Sequence, residues 1–265
     1  MLLLALDTST RYASVALCSD NELLSEYTWY AENNHSVDLL ERIQRSISER
    51  QLSLSQLDAI AVATGPGSFN GVRVALSTAK ALAFAVQKPL IGIPTLDLIG
   101  AQQQWRGFVC AVLEAGRSEL YTACYFSTER RLSSGEVTYG LERLGDYLLC
   151  APEQLVETLR EHLRVRAQAQ ADVLFCGEIK AASWQAIQQG LGEQCLLRGA
   201  IQSTRHASFL TGIALQRLQA GQADDPLLLE PLYLRRPSIT KSTRKQPLFG
   251  GKLATTNGPY TTERE

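Results

Sequence analysis

A glycine-rich loop, GPGSFNG at residues 65–71, lies between an apolar run and a helical pattern of small residues. Backbone N–H groups converge where a strand opens into a helix, and glycines let an anion approach them closely. The loop is not a dinucleotide fingerprint, because its third glycine comes one residue late, and not a P-loop, because Val72 and Arg73 follow Gly71. It is predicted either as a phosphate or acyl-phosphate site or as a tight strand-to-helix turn. The candidate residues are Gly65, Gly67, Ser68, Gly71 and Arg73.

A second candidate is the turn in LALDTST, residues 4–10. Asp7 ends an apolar run there, and three hydroxyl residues follow it. A carboxylate beside hydroxyl groups can order a magnesium-bound phosphate. Asp7 and Ser9 are the candidate residues of this turn. The alternative is a hairpin turn of the Asx or ST type, in which Asp7 bonds to nearby backbone N–H groups.

The patterns around these turns predict a mixed α/β protein. LLLALD, ASVALC and ELLSEYTWY indicate a three-stranded antiparallel meander. An apolar spacing typical of a helix follows over residues 36–50. Strands in LDAIAVAT and PLIGI then alternate with helices over residues 71–86 and 95–104.

The pattern restarts near Trp105. FVCAVLEAGRSELYTACYF can be aligned with LLLALDTSTRYASVALC, with Glu114 opposite Asp7 and Cys124 opposite Leu17, which indicates an internal duplication. A strand around GEVTYG, a helix from Pro152, a strand in DVLFC and a last helix over residues 207–219 complete this half. We therefore expect one domain over residues 1–104 and a second over 105–235. The polar remainder, 236–265, has no apolar period and is expected to be a disordered tail.

Composition excludes several classes of protein. The 265 residues include 26 basic and 27 acidic side chains, so no global basic field drives stand-alone binding to nucleic acid. The six cysteines form no CxxC pair and are interpreted as reduced core residues. The N-terminus lacks the basic segment of a signal peptide, and no apolar run is long enough to cross a membrane. A cytoplasmic protein without a membrane partner is expected.

Several segments together resemble the TsaB family of bacterial tRNA threonylcarbamoyladenosine synthesis. They are LALDTSTRYASVAL, NNHSVDLLERI, LDAIAVATGPGSFNGVRVALSTAKALA, PLIGIPTLDLIG, SELYTACYF and PLYLR. GPGSFNGVR is similar to the family hallmark G-P-G-S-F-T-G-[LV]-R, with Asn70 in place of the threonine. The resemblance implies an actin/hexokinase/Hsp70-like fold of two lobes, each a mixed β-sheet flanked by helices.

The resemblance also implies a partner. TsaB is similar to TsaD, which transfers a threonylcarbamoyl group from its adenylate to N6 of the adenosine beside the anticodon in tRNAs reading codons that begin with A. TsaD carries an HxxxH metal pair, whereas His35, His162 and His206 here have no ligand at helical spacing. A non-catalytic subunit is therefore expected, paired with TsaD, acting with TsaE and meeting tRNA through the complex, or forming a homodimer without the partner. No metal is expected, and weak ATP or ADP binding through the complex is left open.

Two other functions remain as alternatives. One is an ATP-dependent phosphotransferase or ATPase of the same fold, in which the candidate loop and Asp7 would be active. The other is a metallopeptidase, for which the sequence offers no HExxH or comparable ligand cluster.

In the family, the first two helices of the N-terminal lobe pack against their counterparts in the partner. The small side chains within residues 71–86 would let a partner helix approach closely, and the apolar stripe within residues 36–50 would add apolar contact area. Leu39 and Val74 lie off the main stripes and are expected on the outward face. The interface candidates are Val37, Leu39, Leu40, Ile43, Ile47, Val74, Ala75 and Thr78.

Overall fold

The computed structural model describes residues 1–20, 22–31, 35–131, 135 and 137–235, with residues 35–37 described by their backbone only. The predicted tail, 236–265, lies outside these residues. In the described part of the chain, no helix has both the length and the apolar character needed to span a membrane. All six cysteines are free thiols, and five of them are buried.

The first sheet is built from the first five strands. The predicted meander is confirmed as β1 (Leu2–Asp7), β2 (Tyr12–Ser19) and β3 (Glu22–Tyr30), which run antiparallel to one another. The buried strands β4 (Ala59–Ala63) and β5 (Leu90–Ile93) then add in parallel beside β1. The strand order is β3-β2-β1-β4-β5.

Helices cover both faces of this sheet. α1 (His35–Ser48) and α2 (Phe69–Val86) pack on one face, where Leu39, Ile43 and Ile47 recur at intervals of four residues and so form one apolar stripe. On the opposite face, the last helix, α6 (Ser208–Gln219), packs against β1, β2, β4 and β5. β1, β2, β4 and β5 are therefore buried on both sides, as their continuous apolar runs require.

The second sheet repeats the topology of the first. β6 (Gly107–Gly116), β7 (Glu119–Arg131) and β8 (Val137–Cys150) form an antiparallel meander. β9 (Val173–Glu178) and β10 (Cys195–Leu197) add in parallel, so the order is β10-β9-β6-β7-β8. α4 (Pro152–Val165) and α5 (Ala181–Leu191) cover one face and α3 (Thr95–Ala101) the other.

The predicted alignment of the two halves differs from the structure by one residue. The alignment places Cys124 opposite Leu17 and therefore Ala111 opposite Leu4. In the structure Leu17 pairs with Leu4 across the first hairpin, whereas Cys124 pairs with Cys110, and not with Ala111, across the second. The reason is a register shift in the β6–β7 pair between Glu114 and Gly116. Helix α5 and strand β10 are absent from the sequence prediction, and α3 is shorter than predicted.

The two mixed sheets flanked by helices confirm the predicted actin/hexokinase/Hsp70-like fold class. The predicted segments 1–104 and 105–235 supply one sheet each, but each segment lends a helix to the other sheet. α3 packs on the second sheet and α6 on the first, and these two helices also contact each other. Met1–Arg235 consequently forms one compact unit.

Candidate functional site

The glycine loop packs directly against the turn that follows β1. A Cβ atom on Gly71 would lie 2.0 Å from the carbonyl oxygen of Thr8, and one on Gly67 would lie 2.1 Å from that of Ser9. Two hydrogen bonds join the segments, from Ser68 N to Ser9 O (2.6 Å) and from Thr8 Oγ1 to Gly71 O (2.6 Å). Both positions therefore require glycine so that the two backbones can approach each other closely, which agrees with the tight strand-to-helix turn predicted as one alternative for this loop.

The polar groups at the two ends of the loop bond within the protein. Ser68 is the N-cap of α2, and its Oγ accepts a hydrogen bond from Gly71 N (3.3 Å). At the other end, Gly65 N donates to Thr95 Oγ1 (3.1 Å), and Thr95 N donates to Gly65 O (2.7 Å). The loop therefore fixes where α2 and α3 begin.

Asp7 lies at the end of β1 and is fully buried. Its Oδ1 accepts hydrogen bonds from Ser9 N (2.8 Å) and Ser9 Oγ (2.5 Å), which is the Asx-type turn considered from the sequence. This geometry uses one carboxylate oxygen and leaves Oδ2 for another partner.

That partner is Arg205, which was not predicted from the sequence. Arg205 Nε donates to Asp7 Oδ2 at 2.8 Å, and Nη1 donates to Glu178 Oε1 at 3.0 Å. Nη2 donates to Tyr12 O (3.0 Å) and to Thr10 Oγ1, and that hydroxyl in turn donates to Glu178. One guanidinium therefore joins the end of β1 in the first sheet to the end of β9 in the second. We call Asp7, Thr10, Glu178 and Arg205 the ion cluster.

The ion cluster is sealed from solvent at its centre. Arg205 is 1% exposed, and residues 7–10 are all buried. Burial alone would lower the pKa of the Arg205 guanidinium, but the facing carboxylates of Asp7 and Glu178 raise it above its ordinary value. Arg205 is thus a permanent cation inside the protein.

Arg73 lies apart from the ion cluster. Its guanidinium stacks on the ring of Phe69, within the loop, at 3.8 Å from the ring centroid. Its Nε donates to Tyr233 Oη at 2.8 Å. The structure brings together five of the residues predicted for the anion site, which are Asp7, Ser9, Gly67, Ser68 and Gly71. Gly65 bonds to Thr95 at the start of the loop, and Arg73 points away from the others, towards Phe69 and Tyr233.

The expected outward position of Leu39 is wrong. Leu39 is fully buried in the stripe with Ile43 and Ile47, and Leu40, one residue further round α1, is exposed instead. On α2, Ala75 is buried, while Val74 and Thr78 are half-buried and Val74 packs against the core. The side chain of Val37 lies outside the described residues. Two sets of positions, 37–40–43–47 and 39–43–47, both fit an apolar stripe on a helix, so the sequence alone does not decide which set faces the core.

The histidines lie in separate places. His206 Nδ1 is 3.2 Å from Glu26 Oε2, and burial lowers the pKa of His162. The side chain of His35 lies outside the described residues. Among the residues that the structure describes, no group of three or more His, Cys, Asp or Glu side chains could hold a metal ion.

Comparison with known proteins identifies the family. Residues 29–242 match the family model described as TsaD: tRNA N6-adenosine threonylcarbamoyltransferase. The chain is 28% identical over 236 residues to the tRNA threonylcarbamoyladenosine biosynthesis protein TsaB of Bacillus subtilis, covering 89% of this chain and 94% of that protein. It is 29% identical over 238 residues to the TsaB of Haemophilus influenzae, with coverages of 89% and 94%. The structure of YeaZ from Pseudomonas aeruginosa superposes with a TM-score of 0.68 at 29% identity, covering 88% of this chain and 99% of that one. The chain therefore belongs to the TsaD-like family, within its TsaB branch of tRNA threonylcarbamoyladenosine biosynthesis proteins.

Proposed function

We propose that this protein is a non-catalytic subunit that binds TsaD and supports threonylcarbamoyl transfer to N6 of the adenosine next to the anticodon. The tRNAs concerned read codons that begin with A, and they meet this chain through the complex, in the cytoplasm. TsaE acts with the pair, and a second copy of this chain takes the place of TsaD when TsaD is absent. Membership of the TsaB branch supports the assignment of this chain to the pathway. The separate roles given to this chain, TsaD and TsaE are the proposal.

The observation that carries the proposal is the outer surface of the first lobe. α1 and α2 contact each other and bury one side against the same sheet face. Both nevertheless expose large apolar side chains: Leu40 of α1 is 55% exposed and Phe84 of α2 is 75% exposed. Phe69, at the start of α2, is also exposed. A contiguous apolar surface is typical of a site that a partner covers, and we propose that these side chains of the two adjacent helices belong to one such surface.

The ion cluster counts against the phosphotransferase alternative. A phosphotransferase of this fold would need the Asp7 carboxylate free to order a metal-bound phosphate. Here both oxygens of Asp7 accept hydrogen bonds from the protein, and Arg205 neutralises its charge. The chain also lacks the histidine pair that the resemblance assigns to TsaD.

Reconstitution tests the proposal directly. TsaD, TsaE, threonylcarbamoyl adenylate and tRNA are incubated with and without this chain, modified adenosine is quantified, and size exclusion follows complex formation. Modification that requires the chain, together with a co-eluting complex, is the expected result. Equal turnover by TsaD alone with no complex would overturn the proposal.

A matched pair of variants tests the surface. Leu40→Asp places a charge on the outer face of α1 and should weaken TsaD binding at least about 10-fold, the effect of losing one well-buried interface contact. Val165→Asp is the control, since Val165 is 78% exposed at the end of α4, on the other lobe. Equal binding by both variants would exclude the α1 surface as the docking site.

A further inference from the structure

The fold class raises the question of a bound magnesium nucleotide, and the residues at the end of β1 do not fit one. Backbone already fills the space that a glycine cradle would offer a phosphate, since a Cβ on Gly67 or Gly71 would meet a carbonyl oxygen of the turn. Both oxygens of Asp7 are bonded, and residues 7–10 are buried. The backbone of the turn therefore closes the route from the glycine loop to this carboxylate, and Arg205 already supplies the positive charge opposite it.

We infer that Arg205 takes the place of a bound cation in this protein, holding the ends of the two sheets together without a ligand and excluding magnesium nucleotide from the ends of β1 and β9. A guanidinium suits this role because its planar set of N–H donors bridges acceptors in fixed directions and keeps its charge at any physiological pH. Here the donors reach Asp7 on β1, Glu178 on β9, and Thr10 and Tyr12 after β1. The inference concerns this chain alone and does not depend on TsaD binding.

The backbone that presents Arg205 is itself fixed. Immediately after it, Ala207 N donates to Ser14 Oγ (2.8 Å) and Ser208 N donates to Glu26 Oε1 (2.9 Å), which ties the start of α6 to β2 and β3. Immediately before it, Thr204 O accepts a hydrogen bond from Gln102 Nε2 (3.0 Å), which follows α3. The backbone on both sides of Arg205 is therefore held in place, which positions the guanidinium between Asp7 and Glu178.

The charges explain why a cation must be present. Without Arg205, Asp7 and Glu178 would lie beside each other as two unpaired carboxylates, one of them fully buried. A buried carboxylate without a counter-charge is strongly unfavourable. A chain without Arg205 therefore has to protonate a carboxylate, open its structure at this point or bind another cation there.

The experiment removes the guanidinium charge and asks whether a metal ion replaces it. The native chain, Arg205→Lys, Arg205→Met and the double variant Arg205→Met with Asp7→Asn are melted with and without 10 mM manganese chloride, with sodium chloride matching the ionic strength. Each is also titrated calorimetrically with magnesium ADP. The native chain and Arg205→Lys should show no saturable binding of magnesium ADP and no metal-specific change in Tm.

Arg205→Met should gain a manganese-dependent rise in Tm of several degrees, and the added Asp7→Asn should abolish that rise. Saturable binding of magnesium ADP to the native chain would overturn the inference, even if Arg205→Met failed to fold. A folded Arg205→Met that manganese does not stabilise would overturn it as well.

Discussion

The turn after β1 and the turn after β6 occupy the same position in two sheets of identical strand order, yet they serve different purposes. The first turn is buried against the glycine loop, and its carboxylate, Asp7, lies in the ion cluster. The second is exposed, with Gly116, Arg117 and Ser118 at left-handed φ values of 72°, 55° and 58°. Its carboxylate, Glu114, accepts one hydrogen bond from Lys180 N at 2.8 Å.

The difference follows from the length of the next strand-to-helix connection. Five residues, 64–68, join β4 to α2, and they fold back over the first turn. Only two residues, 179–180, join β9 to α5, and within the described part of the chain this connection leaves the second turn exposed, with Arg235 donating to Ala115 O beside it. Strand order alone therefore does not make a site, because the connection beside the turn decides whether the turn is packed or exposed.

Replacing the carboxylate of the first turn should have the largest effect. Asp7→Ala leaves Arg205 buried with only the partly exposed Glu178 to balance its charge, and it should reduce the free energy of unfolding by about 3–5 kcal/mol. Urea denaturation followed by circular dichroism measures the loss. Glu157→Ala is the control, since Glu157 is an exposed helical partner of Arg160 and its loss should cost under about 1 kcal/mol. Similar losses for the two variants would mean that the ion cluster does not stabilise the fold.

Closing the space between loop and turn should come next. Gly71→Ala puts a methyl group 2.0 Å from Thr8 O, so the start of α2 has to move, at a cost of about 3 kcal/mol or more. Gly212→Ala is the matched control, because Gly212 lies in α6 and no atom of the described residues is within 4 Å of an added Cβ. That substitution should stabilise the protein by about 0.5–1 kcal/mol. Equal melting temperatures for both variants would remove the structural role assigned to the loop.

The contrast between the two turns also separates what the sequence predicts from what it does not. Asp7 and the glycine loop are recognisable because each is a short contiguous motif at the end of an apolar strand. Arg205 is not, because its carboxylate partner is 198 positions away and no local pattern marks an arginine before a helix as buried. Only the folded chain brings these groups together.

The same distinction holds for the secondary structure. The strands of both meanders and the helices α1, α2, α4 and α6 follow from local apolar periods. Strand β10 is three residues long and exists through parallel pairing with β9, which is a non-local interaction that leaves little trace in sequence. The misplaced Leu39 has a related cause, since the sheet that selects the inward face of α1 comes from other parts of the chain.

The carboxylate of the second turn provides a smaller test of the comparison. Glu114→Ala removes the acceptor for Lys180 N at the start of α5 but leaves no buried charge behind. It should therefore cost about 1–2 kcal/mol, the worth of one charge-assisted hydrogen bond near the surface. The loss, measured by the same urea titration, should be well below that of Asp7→Ala. A loss as large as that of Asp7→Ala would mean that the two turns contribute equally to the stability of the fold.

The smallest effect is expected at Gly116, the glycine of the exposed turn. Among the residues that the structure describes, no atom lies within 4 Å of a Cβ added there, so the obstacle to alanine is its positive φ. A left-handed alanine costs about 1–2 kcal/mol, and the lower entropy of its unfolded chain offsets about 0.4–1 kcal/mol, leaving a net loss of about 0–1.6 kcal/mol. Asparagine tolerates this conformation better, so Gly116→Asn should cost less than Gly116→Ala by thermal melting. If Gly116→Ala proved as damaging as Gly71→Ala, the second turn would have to be packed against something, and the distinction between a packed first turn and an exposed second turn would fail.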